Sequence, residues 1–499
     1  MKIITMHHIL GNKVLEYDVD DRGVIVDERE IDRTVNHKPN IADWVKEHMV
    51  FWYDMSKPAD TYSQNFNDWI PHPLVNADII ITSTSFVITR FATLNDTVKC
   101  YIPDQTKNFP GMKVEVKGIV DGQELYWGYS ANMKLVNITS DGTYDIPPLE
   151  TVNGNLSFRN GNIVDACNIT ITQLPSGQSV PTNEILKANP YLQDFSGNNR
   201  PLKLNNFLFA AMSGVGGYDI ASTNILPDRA NVTVTDNRII HITKKLSTTD
   251  NMVNIVPANS NPTHKFKVTG LSDGRQVSLV NRNGGFYTFD NGEHEVTLTY
   301  PEGTTSLYNA IGVTGDIGDM DVTIEFLPKY PNALVTDGVD DYGVVENFKS
   351  CKNYMMFFQC AIIRPATSKG MFSTTPIEGN IKGWMLLQGN SANEVRFGNN
   401  VYKNFNVTSS IGDKISYVLS ANNELMTCYV GEEKATLAGT YKQTGANMSL
   451  FLSDNNNKTR FGSMAFYKSI LFDSVPTKET DGFTEQDLIN YVFENLITK

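Results

Sequence analysis

Long apolar runs are missing from this chain of 499 residues. A membrane-spanning helix needs about 20 consecutive apolar residues, and no stretch approaches that, so membrane insertion is not expected. The opening Met1-Lys2-Ile3-Ile4-Thr5-Met6-His7-His8-Ile9-Leu10 holds one cation and a short apolar run broken by two histidines, which does not read as an export signal. Positive charge is also short: 42 Lys and Arg stand against 55 Asp and Glu, a net charge of −13, and no basic run stands out. A sequence-independent grip on nucleic acid is therefore not expected. Cysteine is scarce, and Cys100, Cys167, Cys351, Cys360 and Cys428 are scattered, odd in number and without a C-x-x-C pair. That argues against a disulfide framework and for reduced, mostly buried thiols in a protein made in a cytoplasm. Catalytic signatures are missing too: there is no G-x-S-x-G, H-E-x-x-H, Walker or dinucleotide glycine motif. Gly214-Val215-Gly216-Gly217 opens no helix after a strand and reads as a flexible junction, not a phosphate cradle. No catalytic, cofactor-binding or metal-ligating residue is assigned, and the chain is expected not to be an enzyme.

What the chain has in quantity is Asn, Thr and period-two alternation, spread over a length that fits three or four domains. Residues 1–75 differ from the rest. Glu16 to Asp27 predicts a hairpin around Asp21-Arg22-Gly23, and Asn40 can cap a helix that carries Ile41, Trp44, Val45 and His48 on one face. Trp44, Phe51, Trp52, Tyr53, Tyr62, Phe66 and Trp69 are too many for so small a segment to enclose. They either dock on a neighbouring domain or another subunit, or form a satellite core, and the segment is taken as a docking element. Five of the eight histidines (His7, His8, His37, His48 and His72) also fall here, but no H-x-H spacing and no nearby cysteine completes a zinc set, so they read as surface or interface residues. Pro71 and Pro73 close the segment.

Residues 76–183 alternate as a β-sandwich does, in Ile79-Ile80-Ile81, Phe86-Val87-Ile88, Val114, Val116, Ile169 and Ile171. A second copy is predicted at 219–331. Lys113 to Gly118 matches Lys265 to Gly270 at an offset of 152, Asn168 to Pro175 matches Asp321 to Pro328 at 153, and Leu156 to Gly161 is paired with Leu298 to Gly303. Breaker-rich Gly214 to Gly217 and Pro328-Lys329-Tyr330-Pro331 flank this copy as domain junctions do.

Val335-Thr336-Asp337-Gly338-Val339-Asp340-Asp341-Tyr342 resembles the "DGVDDY" strand entry of concanavalin A-like, laminin G-like jelly-roll modules, and Asp194-Phe195-Ser196-Gly197-Asn198 resembles their "D-x-S-G-N" turn. The apolar run Tyr354 to Ile363, the pair Lys414–Leu419 and Leu425–Val430, the strand Arg460 to Tyr467 and a helix beginning at Thr484 follow in the family's order. This helix has a cap-like pair in Thr484 and Asp487 and an apolar stripe in Leu488, Val492 and Leu496, and should pack on the sandwich. The resemblance covers about two fifths of the chain and implies a jelly roll built from residues 184–218 and 332–499, interrupted by the sandwich at 219–331. The expected fold is thus all-β and multidomain, with few helices. Relatives sometimes hold calcium at the sandwich rim, which implicates Asp337, Asp340 and Asp341. The alternative, an acidic turn whose carboxylates bond backbone amides, is preferred. Trp127, Tyr129 and Trp384 are candidates for stacking on sugar rings. Some members of the fold are glucanases with an E-x-D-x-E strand. Asp319-Met320-Asp321-Val322-Thr323-Ile324-Glu325 has the wrong spacing and reads as a strand edge turned to solvent.

The combination of Asn/Thr-rich duplicated sandwiches and a lectin-like module, and above all Asn189 to Asn198 through Phe207 to Tyr218, resembles virion proteins of tailed phages that infect Bacteroidales, including the crAss-like group. This resemblance implies a non-enzymatic structural part of a virion, in a tail, fibre or head appendage, assembled in the host cytoplasm. Its partners would be other virion proteins and further copies of itself, with host-surface glycan adhesion as a secondary use. The alternatives are a glycan-active enzyme of the glycoside hydrolase kind and a bacterial surface glycan-binding protein.

Overall fold

The computed structural model describes residues 4–10, 13–19, 25–32, 41–62, 66, 70–72, 77–82, 84–91, 97–99, 109, 111–130, 132–150, 156–163, 165–257, 262–272, 274–281, 285–300, 309–345, 348, 351–374, 384–389, 391, 393–398, 401–422, 425–438, 448–454 and 459–498. The fold is all-β, with a jelly roll as host and two five-on-five sandwiches as guests. A separate antiparallel sheet of Ile4–Leu10, Lys13–Val19 and Ile25–Asp32 precedes them.

The two guests repeat one topology. In the first, one sheet runs Gly142–Ile146, Met112–Lys117, Asp165–Gln173, Ser85–Phe91, Ala77–Ile81, and in the second the matching sheet runs Gly292–Thr297, Thr263–Thr269, Gly318–Phe326, Ile239–Lys245, Ala230–Thr235. The opposing sheets, which start from Met133–Ile138 and from Phe286–Phe289, likewise have the same order of strands in the chain and in the sheet. Register agrees as well, since Val116 faces Ile171 and Val268 faces Ile324. Gly118 and Gly270 hold φ of +93° and +87°, and a Cβ at either would lie about 2 Å from a carbonyl oxygen, that of Asn168 or Asp321, so only glycine fits both corners. One expected pairing needs correction. The counterpart of Ser157–Asn160 is Asn309–Val313, not the Leu298 stretch. Leu298 donates its N–H to the Pro262 carbonyl at 2.9 Å, as Leu149 does to Phe109 at 2.8 Å. A leucine and an aromatic two residues apart recur too often in strands to fix a register.

The host packs two sheets about a core that includes Met356, Phe358, Phe372, Trp384, Phe397 and Phe466. One, here the outer sheet, runs Tyr191–Leu192, Leu202–Asn205, Tyr342–Val345, Met448–Leu450, Gly370–Thr374, Met385–Gln388, Glu394–Gly398, Tyr402–Asn406. The other, the covered sheet, runs Gly214–Val215, Leu334–Val335, Ser463–Phe472, Tyr354–Arg364, Lys414–Ala421, Leu425–Val430, Glu433–Ala438. The far face of the covered sheet lies under two helices. Trp44 and Val45 of Ile41–His48 join Leu488, Ile489 and Val492 of Glu485–Val492 on Met355, Phe357, Val418 and Ile470. The second helix has the expected start: the Thr484 side chain accepts from the Asp487 N–H, and the Asp487 carboxylate accepts from the Thr484 N–H at 2.7 Å.

The first segment is not a free docking element beyond residue 41. Met49–Asp54 pairs with Ser463–Phe472 along the edge that Leu334–Val335 also uses, so this strand belongs to the host. Asp54 and Lys468 form an ion pair at 3.0 Å with side chains 1% and 6% exposed. The Asp194 turn secures the same strand: its carboxylate accepts from the N–H groups of Trp52 and Ser196 at 2.9 Å and of Arg200 at 3.0 Å, while the Asn198 amide donates to the Met49 carbonyl at 2.6 Å. Trp44, Phe51 and Tyr53 are thus buried on the host, and Phe66 in the first guest; Trp69 lies outside the described side chains. Ile70–His72 belongs to the first guest, which therefore begins before residue 76.

Both guests are insertions, and each is clasped at its base. Ala59–Thr61 pairs with Gly177–Ser179 below the first, and Gly214–Val215 with Leu334–Val335 below the second. The second clasp continues through the Gly216 N–H to Ala333 and the Lys329 N–H to Gly217, at 2.8 and 2.9 Å. Gly214 to Gly217 is a hydrogen-bonded strand end, not a flexible junction. Alternation alone could not show this, because two residues of pairing leave no periodic trace.

Candidate functional site

The acidic turn is where the sequence points to a metal, and the outer sheet is the host sheet that lies away from the two helices. In the turn, the carboxylate oxygens of Asp337, Asp340 and Asp341 lie within 4.8 Å of one another. Asp337 Oδ1 accepts from the N–H groups of Val339 at 2.7 Å and Asp340 at 3.4 Å. Asp341 is fully buried and accepts from the Ser213 hydroxyl and the Asp337 N–H, both at 2.9 Å. Burial pushes its carboxyl up to about 7; the Asp337 N–H opposes this, and the charge of Asp337 reinforces it. The donor set is hard oxygen, which suits calcium, yet Asp337 and Asp341 are engaged by backbone and hydroxyl donors of the turn itself. The geometry is that of an amide-bonded acidic turn that ties the host's strand entry to Ser213 at the start of the second insertion.

Cross-strand register builds the side of the outer sheet that is turned away from the core as one row: Tyr191, Lys203, Val344, Ser449, Ser373, Met385, Gly398 and Tyr402 face each other in turn. The middle of this row is covered. The hairpin of Leu452–Asp454 and Thr459–Phe461 lies against it, with the Ser373 hydroxyl donating to the Leu452 carbonyl at 2.8 Å and the Phe461 ring 6.0 Å from that of Tyr342. At one flank Arg396 sits 5.2 Å from the Tyr402 ring centre and donates to Asn404 Oδ1 at 3.1 Å and to Ser368 Oγ at 2.9 Å. This flank offers a cation, a phenol and an amide side by side. Sequence reading missed it, although alternation around Val395 and Phe397 already turns Arg396 outward. The eight strands of the sheet contain one acidic residue, Glu394.

The stacking candidates fare differently. Trp127 has no exposure and packs on Phe109 and Phe158 in the first guest, and Trp384 is 1% exposed in the host core, so neither is a platform. Tyr129 is half-buried against the same core as Trp127. A strand's two faces carry tryptophan equally well, and the sequence does not say which one is dry. Asp319 and Asp321 are exposed as expected, but on the central strand of their sheet, paired with Lys244 at 3.1 Å and His241 at 2.7 Å. Of the histidines, His48 meets Asp473 at 2.9 Å. His37 and the side chains of His7, His8 and His72 lie outside the described residues. Burial pushes the Cys360 and Cys428 thiols up, as befits inert core residues.

No protein-family model matches the chain, and no curated protein matches it. It is similar to domain 4 of an extracellular arabinanase of family GH43 from Geobacillus stearothermophilus in complex with arabinotriose, at 13% identity over 31% of this chain and 80% of that one, with a TM-score of 0.22. It is also similar to domains LG4-5 of the mouse laminin α1 chain, at 10% identity over 54% of this chain and 97% of that one, TM-score 0.22. A third similarity is to the Trypanosoma rangeli sialidase in complex with 2,3-difluorosialic acid, at 10% identity over 99% of both chains, TM-score 0.26. At these values nothing about activity or ligand passes from any of them to this chain.

Proposed function

We propose that the chain is a non-enzymatic structural component of a tailed-phage virion, held to other virion proteins or further copies of itself through the sheet Ile4–Asp32 and projecting its sandwiches from the host jelly roll. The observation that carries the non-enzymatic part is the acidic content of the outer sheet. A glycosidase needs two carboxyl groups roughly 5 to 10 Å apart across its ligand, and these eight strands supply only Glu394. The virion part rests on the sequence resemblance at Asn189 to Asn198 and Phe207 to Tyr218, the stretch that here locks the N-terminal strand and leads into the second insertion. The strands Ile4–Leu10, Lys13–Val19 and Ile25–Asp32 pair with no other described strand, so deleting residues 1–32 breaks no strand pairing among the rest of the described residues. The test is mass spectrometry of purified particles from infected cells, alongside a deletion of residues 1–32. The full chain should appear at stoichiometric levels in particles, and the deletion should stay soluble and be left out of them. Finding the full chain only in the soluble lysate would refute the proposal.

Glycan adhesion is the second reading, favoured by the Arg396, Tyr402 and Asn404 flank. A glycan array with the full chain should then show saturable binding that Tyr402→Ala removes. Release of reducing sugar from any bound glycan would instead favour an enzyme.

A further inference from the structure

A cavity of about 390 Å³ lies where the second guest meets the host, lined from the guest by Asp219, His264 and Lys265, from the return connection by Lys329 and Tyr330, and from the host by Ile411 to Asp413. Its unusual member is His264. The residue is 2% exposed, and among the described residues its Nε2 has no hydrogen-bond partner. It sits on the inward row of Thr263–Thr269 with Phe266 and Val268, a row that is otherwise apolar. In the first guest the same register position holds Met112, as the pairs Val114 with Phe266 and Val116 with Val268 require. The two guests share a topology and differ here, and the polar residue stands in the copy whose end opens on the host. A packing role is met by methionine; a buried imidazole nitrogen, unpartnered among the described residues and carried by a residue that lines a cavity, points to something that hydrogen-bonds it.

The remaining lining defines the ligand's chemistry. The Asp219 carboxylate, 1% exposed, accepts from the Thr263 N–H at 3.1 Å and pairs with Lys329 at 3.2 Å, while Lys265 pairs with Glu295 at 3.2 Å. Two lysines face three carboxylates, those of Asp219, Glu295 and Asp413, so the lining has no surplus of positive charge for a phosphate, and it offers several fixed donors and acceptors. Tyr330, 8% exposed, and the half-buried Tyr218 add phenol rings against which C–H groups can lie. The volume falls within the roughly 300–1,000 Å³ of small-molecule sites. The geometry points to a binding site for a neutral polyhydroxylated ring, a monosaccharide or disaccharide, with His264 Nε2 and the Asp219 carboxylate meeting its hydroxyls. This site is remote in sequence from the outer-sheet flank and does not depend on the virion reading.

The test uses the full chain with a panel of neutral monosaccharides and disaccharides, inorganic phosphate as the anionic control, and saturation-transfer NMR and calorimetry as readouts. Two variants serve. His264→Met borrows the residue of the first guest and should fold, and Ile411→Trp fills the mouth from a position 60% exposed. Saturable binding of at least one sugar, weakened about tenfold or more in each variant, the worth of one buried hydrogen bond, is the expected result. Tyr402→Ala should leave this binding unchanged, which separates it from adhesion at the outer sheet. No sugar bound at millimolar concentration, phosphate bound in preference to sugars, or sugar binding indifferent to both variants would each overturn the assignment.

Discussion

Replacing Asp54 by alanine isolates how firmly the N-terminal strand belongs to the host. The carboxylate and its partner Lys468 are 1% and 6% exposed at a separation of 3.0 Å, and removing one member of such a pair strands the other charge, which costs about 3–5 kcal/mol. Little in the surroundings softens this. Among the described residues, the other acceptor of Lys468 Nζ is the Leu496 carbonyl at 3.5 Å, the limit of a hydrogen bond. Lys57 and Lys414 lie close enough that the charge of Lys468 contributes to lowering both, after burial as the larger cause, so Asp54→Ala leaves neighbouring cations without their common counterion. The hydrogen bonds lost to Ser56, at 2.9 and 2.6 Å, matter less, because Ser56 is exposed and water replaces them. At about 2–4 °C per kcal/mol for a unit of this size, the host transition in scanning calorimetry should fall by roughly 6–20 °C. The double variant Asp54→Leu with Lys468→Met should recover most of the loss, since a well-packed apolar pair replaces a buried ion pair at little cost. A drop below about 1 kcal/mol for Asp54→Ala, or a double variant no better than the single one, would refute the reasoning and return residues 41–54 to the status of an appendage.

Asp341 should make the host pH-sensitive. Its carboxyl is raised from 3.8 to about 7 by burial, so its contribution is greatest below about pH 4 and is lost as pH rises toward 7. A rise of this size corresponds to about 4 kcal/mol; Asp341→Asn should flatten that part of the urea stability profile between pH 4 and 8, and a profile identical to wild type would contradict it. His264 works in the opposite direction. Burial lowers it from 6.5 to about 4, so the second guest loses stability as pH falls from 6.5 to 4, and His264→Met should remove that loss and add about 1–3 kcal/mol by deleting an unsatisfied nitrogen, measured by denaturation at pH 7 and 5. Trp384→Ala should destabilise the host by about 3–5 kcal/mol through cavity formation; an unchanged melting temperature would return this residue to the surface. Gly270→Ala should cost the second guest at least about 1–3 kcal/mol, because the strain of φ +87° is joined by the clash with the Asp321 carbonyl, while the first guest melts as before.

Much of this architecture is legible in the residues because strands long enough to alternate announce themselves. Asn168 to Pro175 and Asp321 to Pro328 could be superposed by eye, and both are central strands of their sheets. Short elements hide. Gly214–Val215 and Leu334–Val335 form a clasp of two residues each, and nothing in so brief a stretch distinguishes pairing from a loose joint. Met49–Asp54 is almost wholly apolar because it is covered on both faces, by the core and by the two helices, and such a run gives no period to read. The same limit misplaced Trp127 and Trp384, whose burial is decided by which side of a sheet meets its partner. His264 was within reach, since the alignment that reveals the duplication sets it against Met112.

The paired bases of the two insertions also determine how the molecule bears tension. A pull between Ile41–His48 and the helix Glu485–Val492 runs through elements that rest together on one sheet, so it crosses neither sandwich. Each sandwich hangs as a slack loop whose neck, Ala59–Thr61 with Gly177–Ser179 or Gly214–Val215 with Leu334–Val335, must first be sheared before any load enters it. Under stretch the jelly roll should therefore yield first, and its rupture should release the sandwiches' stored contour length only afterwards.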